Sequence, residues 1–140
     1  MSPYLIAILV AWIVAQGAKY ILMLARTGKA ADWRHMYASG DMPSAHSAIV
    51  VAVATVIGCY EGVESSIFGL AVMIAVIVMY DAMMVRRSSG RQGELLTSLI
   101  TEVKSALKAP KVARGHEPLE VFVGALLGGV VGYIVFLATI

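Results

Sequence analysis

Residues 40–60 read GDMPSAHSAIVVAVATVIGCY, a knot of polar groups followed at once by an apolar run. From Pro43 to Tyr60 the run has the composition of a segment built for lipid. Asp, Ser and His at the mouth of such a segment are costly unless protein or a ligand meets them. The fold and the chemistry both follow from how that cost is met.

Outward from this stretch the chain keeps the same character. It has 140 residues, 59% hydrophobic and 14% charged, where a soluble domain carries about 25% charged residues. An integral membrane protein of one domain, residues 1–140, is the class this composition implies, and no nucleic-acid partner is expected. Crossing a hydrocarbon core of about 30 Å takes roughly 20 apolar residues. Four segments are expected to cross, at about 4–25, 43–60, 66–85 and 118–140, giving an all-α polytopic bundle. The first is expected to be a span, not a cleaved leader, since no basic region precedes it. Cys59 reads as a small apolar filler within a span.

Ten of the eleven Lys and Arg residues fall in the first and third connections, among them Arg26, Lys29 and Arg34, then Arg86, Arg87, Arg91, Lys111 and Arg114. Two spans separate those connections, so both lie on one side. Positive charge assigns that side to the cytoplasm of a bacterial-type inner membrane, with both termini outside. Within the third connection, Leu95, Leu96, Leu99, Ile100, Val103 and Leu107 recur at helical spacing. An amphipathic helix over about 91–108 is expected, lying along the interface or packed across the base of the spans. Gly124, Gly128 and Gly132 in the last span form two overlapping G-x-x-x-G repeats, which serve packing within the bundle or a homodimer seam.

The unusual polar groups gather toward the cytoplasmic level. Lys19 lies in the first span, His46 one turn into the second, Asp81 low in the third, and His116 and Glu120 at the mouth of the fourth. Taken singly, Lys19 can snorkel and Asp81 can pair with Lys19 or Arg86. Together, two histidines at helix mouths ringed by Lys and Arg suggest a site for an anion, helped by free N–H groups in the first turn after Pro43. That is phosphate chemistry or phosphate binding. A metal is not expected, because the surrounding cations oppose one and no H-E-x-x-H spacing occurs. A Ser-His-Asp hydrolase is not expected either, in the absence of a G-x-S-x-G elbow. Asp41 and Glu117 flank the two histidines and are expected to face water or cap a helix.

The motifs M-P-S-A-H-S, then M-Y-D-A-M-M-V-R-R-S-S-G-R-Q, then G-H-E-P-L-E-V before a Gly-rich span resemble the divergent branch of the type-2 phosphatidic acid phosphatase superfamily. That superfamily also includes acid phosphatases and vanadium haloperoxidases. Its parent pattern is K-x(6)-R-P, then P-S-G-H, then S-R-x(5)-H-x(3)-D. Lys19 and Arg26 reproduce the first spacing, with Thr27 for the proline, and Pro43-Ser44-Ala45-His46 the second. His116 and Glu120 reproduce the end of the third, with Glu for Asp, whereas the arginine six residues before the histidine is replaced by Pro110.

The resemblance implies a metal-independent, cofactor-free lipid phosphate or pyrophosphate phosphohydrolase. His116 would be its nucleophile, positioned by Glu120, and His46 its acid and base. Lys19, Arg26, Ser44, Arg86, Arg87 and Arg91 would bind phosphate, Arg114 being a further candidate for the missing arginine. Asp81 would orient an arginine of that cluster or form a structural pair. Two rival readings stay open: a non-catalytic binding or transport protein for a phosphorylated lipid or anion, and a structural subunit joined through the glycine seam.

Overall fold

Serines and prolines start the helices, and glycines end the first two. The computed structural model describes residues 1–28, 42–104, 106–110, 112 and 115–140, with the Thr27 side chain excepted. Helix α1 (Pro3–Thr27) has proline in its first turn and stops at Gly28, whose φ of 64° lets its N–H return to the Leu24 carbonyl at 2.9 Å. Helix α2 (Ala45–Glu61) is capped by Ser44, whose Oγ accepts from the Ser47 N–H. A turn at Gly62 (φ 84°) leads to Ser65, which caps α3 (Ser66–Tyr80) in the same way. Helix α5 (Pro118–Thr139) opens with a capping box in which the Glu117 and Glu120 side chains each receive the other residue's backbone N–H.

The third span does not end where the sequence suggests. After Tyr80 the chain widens into a π-helical turn, Asp81–Val85, and continues as α4 (Arg86–Glu102) without a break. The helix from Ser66 to Glu102 has 37 residues, or about 55 Å at 1.5 Å per residue, longer than the whole bilayer with its headgroups. The amphipathic helix expected over 91–108 is therefore the second half of a long rod that stops at Glu102. Leu95, Leu96 and Leu99 on it are at least half exposed, so they are not packed across the base of the spans. Val112, on the returning chain, sits against Gly93.

Among the described residues the structure is all helix. Three helices are long and apolar enough to cross a membrane: Pro3–Arg26, the Ser66–Glu102 rod and Pro118–Thr139. Helix α2 is apolar but shorter, at 17 residues. It is the hub, with α1, α3 and α5 all packed on it. The exposed leucines, isoleucines and valines of α1, α3 and α5 are what a lipid-facing surface requires.

What joins α2 to α5 is the absence of side chains. A Cβ on Gly124, Gly128 or Gly132 would overlap the carbonyl oxygen of Ser44, Ala48 or Ala52, respectively. The three glycines recur every four residues and meet three α2 residues with the same spacing, one ridge seated against one backbone. This ridge is buried within a single chain, so packing inside the bundle occupies the face that a homodimer seam through these glycines would need. Ala7, Ala11, Val56, Val131 and Val135 extend the core toward the other end. There the Tyr4 hydroxyl donates to Glu61 at 2.6 Å, the Tyr60 hydroxyl bonds Thr139 at 2.9 Å, and the Tyr60 ring stands edge-on to Phe136.

Gly128→Ala should destabilise the fold by about 1–3 kcal/mol, because the obstructing atom belongs to the backbone and cannot rotate away. Gly129→Ala, at a site with nothing within 4 Å, should stay within about 0.5 kcal/mol. Thermal unfolding in detergent compares the two, and equal midpoints would show that the ridge is not a close contact.

Candidate functional site

Two backbone bonds bring the chain ends of the site together. The Ser44 N–H donates to the Glu120 carbonyl at 3.0 Å, joining the start of α2 to the first turn of α5. The His116 N–H donates to the Ala82 carbonyl at 3.0 Å, tying the segment before α5 to the π turn. Gly115 makes the second bond possible: a Cβ there would overlap the backbone of Arg87. His116 is thereby fixed against the π turn and buried, with 4% of its surface exposed.

Its ring orientation is set by Glu120. The His116 Nδ1 lies 2.9 Å from Glu120 Oε2, which also accepts the Glu117 N–H at 3.1 Å. A carboxylate oxygen accepts, so this contact makes Nδ1 the donor of the pair and leaves Nε2 for another partner. A pair four residues apart across a helix start meets in this way without strain.

The π turn makes the second fixed pair. In an α-helix five residues rotate by about 500°, which would turn Asp81 and Arg86 well away from each other. The i→i+5 repeat of a π turn stacks them. The Arg86 N–H donates to the Asp81 carbonyl, and Arg86 Nε donates to Asp81 Oδ2 at 2.7 Å. Asp81 is thus paired with Arg86, the contact that both of the roles expected of it require.

His46, the second residue of α2, is exposed, as is Arg86. Arg86, His116, Lys19 and Asp81 all lie close enough to act electrostatically on its ring. One side chain from α1, one from α2, two from the π turn and the start of α4, and one from the approach to α5 thus converge. Lys19, His46, Asp81, Arg86, His116 and Glu120 form the candidate site. Gln16, one turn from Lys19, has a buried amide oxygen with no hydrogen-bond partner among the described residues.

Other expected residues stand differently. Ser44 is fully buried, and its Oγ accepts from both the Ser47 N–H and the Ser47 hydroxyl, so the hydroxyl expected to bind phosphate also caps α2. Arg26 is exposed in the last turn of α1, and Arg91 is exposed on α4, a turn beyond Arg87. Arg87 is half-buried, its backbone beneath Gly115. Lys29, Arg34, Asp41, Lys111 and Arg114 lie outside the described residues. Sequence reasoning missed the π turn, the Ala82 anchor and the role of Gly115. A glycine directly before the motif histidine was the available signal for the last.

A family model described as "Divergent PAP2 family" matches residues 1–131. A Bacillus subtilis (strain 168) protein, "Uncharacterized membrane protein YuiD", is 38% identical over an alignment covering 69% of this chain and 71% of that protein. No solved structure matches. The motifs, the four-helix bundle and the extent of the match make this chain an integral membrane protein of the Divergent PAP2 family.

Proposed function

We propose that the protein is a metal-independent phosphohydrolase that acts on a lipid phosphate or pyrophosphate at the cytoplasmic face of a bacterial inner membrane. The carrying observation is the pairing of a buried His116, its Nδ1 held by Glu120, with a second histidine that shares its electrostatic surroundings with Lys19 and Arg86. The cytoplasmic assignment rests on the positive connections at that end of the bundle.

In this reading His116 Nε2 attacks phosphorus, forming an N–P bond as the bond to the lipid oxygen breaks. His46, protonated, gives its proton to the departing oxygen. Neutral His46 then takes a proton from water as that water attacks phosphorus, releasing inorganic phosphate and restoring both rings. Lys19 and Arg86 neutralise the phosphoryl oxygens throughout, as positioned charges. Arg86 thereby supplies, from α4, the guanidinium that Pro110 does not. The cationic surroundings that favour phosphate disfavour a metal ion at the same place.

Purified protein with chelator present should release phosphate from phosphatidate, phosphatidylglycerophosphate or a polyprenyl pyrophosphate. His116→Ala should abolish turnover, and His46→Ala should lower kcat by about 100-fold or more. Unchanged turnover in His116→Ala would eliminate the proposed nucleophile. Tight binding of these lipids with no phosphate release would instead favour the binding or transport role.

Arg86→Ala should raise KM and lower kcat, and Asp81→Asn should do the same more weakly. The double variant should be no worse than Arg86→Ala, since Asp81 acts through the guanidinium. Additive losses in steady-state kinetics would separate the two residues. Gly115→Ala should reduce activity while the protein remains folded, because the clash displaces His116 from the π turn.

A further inference from the structure

A cleft of about 280 Å³ lies on the membrane-embedded side of the bundle, lined by Ile8 of α1, Val50, Val53 and Ile57 of α2, and Leu70 and Ile74 of α3. Helices α1 and α3 both pack on α2, so α2 is the floor of a groove and its neighbours are the walls. The lining is almost wholly apolar.

The register of the three helices connects this groove to the polar site. Eleven residues make about three turns of α-helix, so residues eleven apart share a face and stand about 16 Å apart along the axis. On α1, Ile8 lies eleven before Lys19; on α2, Ile57 lies eleven after His46; on α3, Leu70 lies eleven before Asp81. Helices α1 and α3 run toward the polar end and α2 runs away from it. On all three, the face that offers a polar residue to the site therefore offers an apolar residue to the groove three turns deeper. Val50 and Val53, at four and seven residues from His46, fill the interval on α2.

The geometry points to this groove as the seat of one hydrocarbon chain of the phosphorylated lipid. Resting on the function proposed above, the assignment names the substrate as an amphiphile whose phosphate meets Lys19, His46 and Arg86 while its chain lies between α1 and α3. Two features select that occupant. The groove shares its helix faces with the phosphate site, Val50 lying one turn from His46, and its apolar lining on apolar helices suits a hydrocarbon chain, which enters from lipid without loss of hydration. A headgroup carried on such a chain is delivered to the histidines by the same three helices that position them.

The test uses full-length protein in phosphatidylcholine vesicles with hexadecyl phosphate carrying a diazirine midway along its tail. Photolysis should crosslink the probe mainly to segments 50–57 and 67–74, and unlabelled hexadecyl phosphate should compete. Val53→Trp, which fills the floor, should cut that crosslinking at least five-fold. Ile134→Trp, on an exposed position of α5, should leave it unchanged and serve as the folding control. Where hydrolysis is measurable, Val53→Trp should slow hexadecyl phosphate turnover while sparing butyl phosphate. Labelling spread evenly over the exposed residues of α5, or equal labelling by a phosphatidylcholine bearing the same diazirine, would overturn the assignment. The crosslink is read without turnover, so an inactive protein that still labels in the groove would refute the phosphohydrolase reading alone.

Discussion

The close contact between the backbones of α2 and α5 is the constraint on which the rest depends. In lipid, helices gain little from hiding apolar surface, because the surrounding chains are equally apolar. Attraction must come from packing, and packing is strongest where backbones touch. Gly124, Gly128 and Gly132 allow that against Ser44, Ala48 and Ala52. The contact continues to the helix starts, where the Ser44 N–H reaches the Glu120 carbonyl. His46 lies two residues into one helix and His116 two residues before the other, so a contact between small residues also sets the spacing of two imidazoles.

A second constraint, the π turn, fixes the site from the opposite side. A regular helix through Asp81 would have carried Arg86 around to another face. The wider turn stacks the two residues and presents the Ala82 carbonyl to His116. One local irregularity thus aligns a guanidinium and anchors the neighbouring histidine. Irregularities of this kind are found often at functional sites.

Much of this was legible in the sequence, for reasons that can be named. Spans follow from the length of apolar runs, the glycine ridge from its period of four, and the meeting of His46, His116, Lys19 and Asp81 from their shared level. The motif position that suggested Ser44 as a phosphate ligand is also the position before a helix, where a serine caps. The amphipathic stretch looked like a separate helix because polar residues interrupt the apolar pattern after Val85. Hydropathy reports surroundings, and the backbone continued through the change. The π turn had no compositional marker: Asp-Ala-Met-Met-Val contains neither glycine nor proline.

The shortness of α2 has a consequence for the polar end of the bundle. Seventeen residues rise about 26 Å, less than the roughly 30 Å thickness of a typical hydrocarbon core. The hub of the bundle is also shorter than its neighbours, α1 with 25 residues and α5 with 22. Tyr4 near the start of α1 is tied to Glu61 at the end of α2, so the shortfall against α1 falls at the His46 end. There the last two turns of α1 run on beyond the mouth of α2.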